Sequence, residues 1–193
     1  MRTRILTPAL LALMLTPCAA TIPPVEVTRF HVNGEIAPGM TATGAVTGQD
    51  GSSIEFRTYA LAVSRELARL GFAEGANALY TAEIGYARDA RERLAQRSPV
   101  TIGIGGGTFG RNLGVGLGTS FGIGGNNSRQ VIVTRLDVQL KRASDGAVVW
   151  EGRAQTEAPS NAPAAQPGLA ADKLARALFS GFPGESGKTI TVP

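Results

Sequence analysis

The sequence is poor in the residues from which disulfide frameworks and multi-histidine metal sites are built. Its 193 residues include one cysteine, one histidine and one tryptophan. A single cysteine excludes an internal disulfide, and a single histidine excludes a metal site that needs several histidine ligands. We predict no metal, no cofactor and no catalytic residue.

The sequence also lacks a large excess of charge of either sign. Nineteen Lys and Arg residues are balanced by 15 Asp and Glu residues, and two of the arginines lie in a leader that we expect to be removed. The longest basic cluster, residues 88–93, alternates arginines with acids, which is typical of a solvated face. Because recognition of nucleic acid needs clustered cations, no nucleic-acid partner is predicted.

No segment approaches the ~20 consecutive apolar residues that a transmembrane helix requires. The N-terminal apolar run is shorter: it spans Ile5 to Leu15 and follows Arg2 and Arg4. A positive start, a short apolar run and small residues after it form the pattern of a secretory signal. We therefore predict that residues 1–17 are a signal peptide and that the protein is exported.

The single cysteine, Cys18, lies at the end of this signal. Leu15-Thr16-Pro17-Cys18 resembles a bacterial lipoprotein signal, in which the cysteine is acylated with fatty acids such as palmitate and becomes the new N-terminus. The departure is Pro17, where glycine, alanine or serine is usual. Two acyl chains are enough for stable anchoring, and Ala19 resembles the residue found in lipoproteins sorted to the outer membrane. The alternative is ordinary cleavage after Ala20, which would leave a soluble periplasmic protein.

Residues 18–24 are predicted to be a tether, and residues 25–193 a single domain. Alternation of apolar and polar residues predicts strands. They are 25–32 with Val25, Val27 and Arg29 on one side, 79–86, 132–140, and a strand with Val148, Trp150 and Ala154 after a turn at Asp145-Gly146. A short strand is predicted at Ile54–Arg57, a loop at 33–51, and a turn and tail after Pro183.

Apolar residues at helical spacing predict two helices. The first runs from Thr58, as N-cap, to Leu70, with Gly71 placed for a left-handed C-terminal cap. The second covers residues 169–182. This order of elements predicts an α/β protein of the α+β type: a two-layer sandwich of an antiparallel or mixed sheet with two helices on one face.

The segment near residues 102–125 is rich in glycine and has a period of two. Apolar residues alternate there with glycines, at Leu113, Val115, Leu117, Phe121 and Ile123. The pattern predicts a hairpin with one apolar face and one face without side chains. Its role is either docking onto a protein or membrane or self-assembly through its edge; the alternative is a flexible, low-complexity insertion without a role.

Three apparent ligand-binding or catalytic motifs are rejected because the sequence around them does not fit the proposed site. Gly105, Gly107 and Gly110 have dinucleotide-binding spacing, but glycine-rich sequence follows them instead of the required helix. Residues 184–189 lack the first glycine of a phosphate-binding loop and a helix behind it. His31 is the one histidine that a serine–histidine–acid triad could use, and no nucleophile motif accompanies it.

Several segments resemble the uncharacterised bacterial lipoproteins that carry domain of unknown function 4136. The resemblance is carried by Tyr59 through Gly71-Phe72, the strand around Tyr80, the glycine-rich insertion, Asp145-Gly146 leading to Val149-Trp150-Glu151-Gly152, and Leu178-Phe179 to Phe182-Pro183-Gly184. It covers residues 25–193 and implies a cell-envelope lipoprotein with no catalytic residue to carry over.

We therefore predict a non-enzymatic envelope lipoprotein, anchored to the membrane through Cys18 at the periplasmic face of the outer membrane. It would present its sheet or its glycine-rich segment to an envelope protein partner. The alternative is a soluble periplasmic small-ligand binder or hydrolase-like enzyme that uses a cleft between sheet and helices.

Overall fold

The structure, a computed structural model, describes residues 22–34, 36–92 and 130–193. In chain order its elements are strands β1 (Val25–His31) and β2 (Met40–Ala45), helix α1 (Ile54–Arg69), strands β3 (Ala73–Glu74), β4 (Tyr80–Glu92), β5 (Gln130–Arg142) and β6 (Val148–Pro159), a 3-10 turn (Pro163–Ala165), helix α2 (Pro167–Phe179) and strand β7 (Thr189–Val192). The predicted signal peptide, Cys18 and the glycine-rich segment at 102–125 lie outside the described residues.

The described strands form one sheet in the order β3-β2-β4-β5-β6-β1-β7. Strands β4, β5, β6, β1 and β7 pair antiparallel, whereas β2 runs parallel to both β3 and β4. The two helices pack against each other and against the same face of the sheet. The predicted two-layer α+β sandwich with a mixed sheet is confirmed.

Strand β1 has the inward and outward faces that its alternation predicts. Val25, Val27 and Arg29 are buried, while Phe30 and Val32 are about half exposed. The second half of β5 follows the same rule, since Leu136, Val138 and Leu140 are buried in the core. Its first half does not: Val131 and Val133 on the other face are also buried, and Ile132 is only partly buried. Period-two sequence therefore fixes which side of the sheet meets the helices.

The start of α1 corrects two predictions. Residues 54–57 are the first turn of the helix and not a strand, and the N-cap is Ser53 and not Thr58. The Ser53 hydroxyl accepts a hydrogen bond from the Phe56 N–H at 3.0 Å, which satisfies one of the free donors of the first turn. Thr58 lies inside the helix and donates to the Ile54 carbonyl at 3.1 Å.

The end of α1 matches the prediction. Gly71 has φ +90°, the left-handed conformation that glycine adopts without a Cβ penalty. The Phe72 N–H donates to the Leu67 carbonyl at 3.0 Å and the Gly71 N–H to the Ala68 carbonyl at 3.0 Å. Phe72 is buried, and its ring lies edge-on to the rings of Tyr80 and Phe182, each with centroids 5.9 Å away.

Two further segments differ from the prediction because they form strands through backbone pairing with neighbouring strands. The predicted loop at 33–51 contains β2, which has few apolar side chains but pairs with β4 through its backbone. The predicted C-terminal tail contains β7, which pairs with β1 as the last strand of the sheet. Helix α2 ends at Phe179, before the predicted end at residue 182.

Within the described ranges, no helix is both long enough and apolar enough to cross a bilayer.

Candidate functional site

His31, the residue that a catalytic triad would need, binds backbone. Its Nδ1 lies 3.0 Å from the Val32 carbonyl oxygen and its Nε2 lies 3.2 Å from the Gly184 carbonyl oxygen. Ser186 is nearby, but its hydroxyl accepts from the His31 backbone N–H at 3.2 Å and not from the ring. The imidazole therefore links the end of β1 to the turn after α2.

Arg29, on the same strand, also binds the end of α2. Its Nε donates to the Leu178 carbonyl at 2.8 Å, and its Nη2 donates to the carbonyls of Ala177 and Ser180 at 2.8 and 2.9 Å. These are carbonyls at the C-terminal end of α2, where a cation complements the helix dipole. Burial lowers the pKa of Arg29. This residue escaped the sequence analysis as a functional position, although an arginine on the inward side of a strand was a signal.

Trp150 completes the attachment of this turn. Its indole N–H donates to the Pro183 carbonyl at 3.0 Å. The ring stacks on Phe179 with centroids 5.3 Å apart and meets Phe182 at the same distance. The only tryptophan of the sequence therefore uses its polar atom and its faces to hold residues 179–183 in place.

Two glycines of the recognised motifs are explained by this packing. A Cβ on Gly152 would lie 2.4 Å from Cη2 of Trp150 and 2.7 Å from Cδ1 of Leu178. Gly184 has φ +87°, and a Cβ there would lie 2.7 Å from Cδ of Arg29. The Trp150-x-Gly152 and Phe-Pro-Gly184 patterns thus have an explanation in space and backbone conformation.

Residues 88–92 of the basic cluster form the end of β4. Arg88 connects α1 and the 3-10 turn: it pairs with Glu55 at 3.2 Å and donates to the Ala165 carbonyl at 2.9 Å. Asp89 and Glu92 are exposed, and their spacing of three places them on opposite faces of the strand. They cannot act together as a pair of carboxylates.

Tyr59 is buried beside this cluster and stacks on Tyr86 with ring centroids 4.5 Å apart. Within the described part of the chain, its hydroxyl has no hydrogen-bond partner. Burial raises the pKa of Tyr59, with smaller effects from Arg88, which lowers it, and Glu55, which raises it. A phenol held neutral in this way is a poor base.

The middle of the sheet face away from the helices is polar, whereas Val131 and Val133 near the start of β5 are buried on that face. Cross-strand pairs cover it: Lys141 with Glu83 at 2.7 Å, Arg153 with Asp137 at 2.5 Å, and Gln139 with Glu151 at 3.1 Å. Because these groups are partly exposed and paired with each other, each pair adds little stability. The face offers a polar surface of mixed sign for contact with other molecules.

A groove beside α2, which we call the α2 groove, combines an apolar wall with the size of a small-molecule site. It has a volume of about 670 Å³ and lies between α2 and the two ends of the described chain. Apolar side chains and backbone make up most of its lining. The lining consists of Ile22, Ala162, Pro163, Ala164, Leu169, Asp172, Lys173, Arg176, Ala177, Ser180, Val192 and Pro193.

Among residues 22–34, 36–92 and 130–193, no group of three or more His, Cys, Asp and Glu side chains is arranged to hold a metal ion.

The family described as Domain of unknown function (DUF4136) matches residues 36–184. This range begins after β1 and ends before β7. The uncharacterised protein ZMO1243 of Zymomonas mobilis subsp. mobilis (strain ATCC 31821 / ZM4 / CP4) is 30% identical over 213 residues, which cover 88% of this chain and 80% of that protein.

One of two similar solved structures reaches a TM-score above 0.5. A PDZ domain protein from Parabacteroides distasonis ATCC 8503 aligns with a TM-score of 0.51 and 10% identity, over 89% of this chain and 39% of that chain. This chain therefore spans about two fifths of that protein, and the likeness shows the fold alone. The PelC dodecamer from Paraburkholderia phytofirmans gives a TM-score of 0.44 at 12% identity, over 80% of this chain and 96% of that chain. That weaker likeness supports no conclusion.

Proposed function

Because the chain belongs to the DUF4136 family, a family of unknown function, we propose that it is a non-enzymatic lipoprotein of the bacterial cell envelope. It acts there as an interaction or structural module. One observation carries this proposal: the side chains best suited to chemistry, Arg29, His31 and Trp150, bind backbone carbonyls of residues 177–184. Groups committed to holding a turn are not free to act on a substrate.

The anchor of the proposed lipoprotein is Cys18, acylated after removal of residues 1–17. Ile22 follows Cys18 by four positions, and four extended residues reach about 14 Å. The domain would therefore lie close to the periplasmic surface of the outer membrane. Ile22 also lines the α2 groove, so the groove would be on the side of the domain where the anchor leaves.

Cell fractionation tests the anchor. The wild-type protein is expected in the membrane fraction and to resist extraction with high salt, because two or more acyl chains bind a bilayer stably. Cys18→Ala removes the thiol and gives three consecutive alanines at positions 18–20, a small-residue cleavage site, so it is expected to release the chain into the periplasm. A wild-type protein that is released by osmotic shock like the variant would contradict the proposal.

The docking surface is proposed to be the glycine-rich segment. The residues that flank the undescribed stretch, Glu92 and Gln130, are register partners on β4 and β5. Their backbones are neighbours, so a two-residue Asn-Gly turn can replace 93–129 without disturbing the sheet. This gives a deletion that removes the proposed surface and keeps the fold.

In vivo crosslinking tests the docking surface. We expect wild-type protein to give a defined crosslinked species that the deletion and Val115→Asp lose. Thr119→Asp, at a polar position of the same segment, should retain it. Crosslinked species that persist in a folded deletion variant would exclude this segment as the docking surface.

A further inference from the structure

The α2 groove has one wall made by a single stripe of helix α2. Leu169, Asp172, Lys173, Arg176, Ala177 and Ser180 line it, and their spacings of three and four residues place them along one side of a helix. The opposite wall is formed by Ile22, by Val192 at the end of β7, and by Pro193 after it. The groove therefore lies beside the helix layer, over the margin of the sheet.

The apolar part of the groove is open to solvent. Ile22 is 69% exposed and Leu169 is 53% exposed. Both side chains would gain from burial, at about 25 cal/mol per Å² of apolar surface. An occupant with an aliphatic surface would supply that burial without needing hydrogen bonds.

The charged part of the groove is positive. Lys173 Nζ is shielded from solvent and has no hydrogen-bond partner among the described residues, and loss of hydration lowers the pKa of Lys173. Asp172, the one acidic side chain in the lining, pairs with Arg65 of α1. Arg176 has no acidic partner in the described ranges. A negative group beside Lys173 would supply the missing partner.

From this combination we propose that the α2 groove binds one molecule of an anionic amphiphile. The acyl chain lies along the aliphatic lining, and the negative head is bound by Lys173, with Arg176 at the rim. The head is either a carboxylate, as in a fatty acid, or a phosphate, as in a phospholipid. The groove volume of about 670 Å³ falls within the ~300–1,000 Å³ of small-molecule sites.

The inference stands apart from the lipid anchor and is tested without it. Cys18→Ala, expressed with its own signal, provides an unacylated chain. The probes are dodecanoate, dodecyl phosphate and dodecyltrimethylammonium, each titrated calorimetrically below its micelle concentration. We expect saturable 1:1 binding of at least one anionic probe and at least tenfold weaker binding of the cation of equal chain length. The anion that binds more tightly identifies the head group.

Substitutions locate the site. Lys173→Met, on the Cys18→Ala background, is expected to weaken binding of the anion at least tenfold. Lys188→Met is the matched control, since that exposed lysine pairs with Glu185 outside the groove. If Lys173→Met fails to fold, Ile22→Asp on the opposite, exposed wall provides the second variant and should also weaken binding at least tenfold.

Chemical labelling gives a second readout at the site. Dodecanoate is expected to slow acetylation of Lys173 but not of Lys188, as measured by mass spectrometry. Equal binding of anion and cation, unchanged binding in folded Lys173→Met and Ile22→Asp, or absence of saturable binding would each overturn the inference. None of these results bears on whether Cys18 is acylated in the wild-type protein.

Discussion

At the scale of single residues, Arg29 shows how a charged side chain can be part of the core. It is 5% exposed, and three carbonyls at the end of α2 accept its hydrogen bonds in place of a carboxylate. Guanidinium suits this task because it presents several donors in a fixed plane. The arrangement joins the first strand of the domain to a helix nearly 150 residues later.

Removing that guanidinium should be costly. Arg29→Met leaves buried carbonyls without a donor, and we expect it to lower the free energy of unfolding by about 2–4 kcal/mol. Arg29→Lys should recover less than half of the loss, because one ammonium cannot reproduce the fork. Urea denaturation measures both, with Arg57→Met of the exposed face of α1 as a control expected within about 0.5 kcal/mol of wild type. A loss below about 0.5 kcal/mol in Arg29→Met would contradict this account.

Because neighbours approach Gly152 closely, Gly→Ala substitutions at Gly152 and at Gly168 should change stability in opposite directions. Gly152→Ala places a methyl group against Trp150 and Leu178 and should destabilise the protein by about 1–3 kcal/mol. Gly168→Ala, in the first turn of α2 with nothing within 4 Å of its Cβ, should stabilise it by about 0.5–1 kcal/mol. Thermal and urea unfolding of the two variants provide the comparison; equal effects at both sites would refute the packing argument.

The buried phenol of Tyr59 should make the protein less stable at alkaline pH. In the unfolded chain a tyrosine loses its proton near a pH of about 10, while burial raises the pKa of Tyr59 in the folded protein. The folded state then holds a proton that the unfolded state has lost. Its contribution to stability therefore falls as the pH rises above about 10, by up to ~1.4 kcal/mol per pH unit.

Tyr59→Phe should remove this part of the pH dependence. It should also leave stability at neutral pH unchanged or raise it by up to about 1 kcal/mol, because the buried hydroxyl has no partner in the described structure. Urea unfolding at a series of pH values from about 8 to about 11, on either side of the tyrosine pKa, measures both effects, with the partly buried Tyr80→Phe as the control. An unaltered alkaline slope in Tyr59→Phe would show that this phenol is not the group responsible.

At the scale of elements, local sequence predicts the end of helix α1 but not its start. Its apolar stripe and its Gly71 end were predictable because both depend on local spacing and backbone conformation. Its start at Ser53 is not evident from local sequence, since Ile54 is 77% exposed and Thr58 is itself a good cap residue. The choice between two candidate caps depends on which first turn packs against the sheet.

Two substitutions distinguish these starts. Ser53→Ala removes the hydroxyl that accepts from Phe56 and should cost about 1 kcal/mol. Thr58→Ala replaces an interior helical residue with a better helix former and should be neutral or slightly stabilising. Measured by urea denaturation, a larger loss in Thr58→Ala than in Ser53→Ala would return the helix start to residue 58.

Strands β2 and β7 are two strands that apolar periodicity does not predict here. Strand β2 has no strong apolar alternation, and β7 alternates over four residues only, with Ile190 and Val192 toward the core. Each is held by backbone pairing to a neighbour distant in sequence. Strand β1, in contrast, could be predicted with its faces because Val25 and Val27 form part of the core. The α2 groove escaped prediction for a similar reason: Ile22, Lys173 and Val192 meet only when the chain has folded.

At the scale of the whole molecule, the sheet has one face packed against the helices and another whose middle is polar. The helices bury one side, and paired charges such as Lys141 with Glu83 cover the other. Trp150 and Gly152, which belong to the motifs that carry the family resemblance, lie on the packed side and maintain it. This division agrees with a module that binds or supports other envelope components, which is our proposal.

The central claim is that the mature protein begins with an acylated Cys18, and its intact mass tests this most directly. The wild-type protein purified from the cell envelope is expected to have the mass of residues 18–193 plus two or more fatty acyl chains and their glyceryl group. Cys18→Ala is expected to have the mass of an unmodified chain that begins at Thr21. A wild-type protein that also begins at Thr21, with no added mass, would contradict the account.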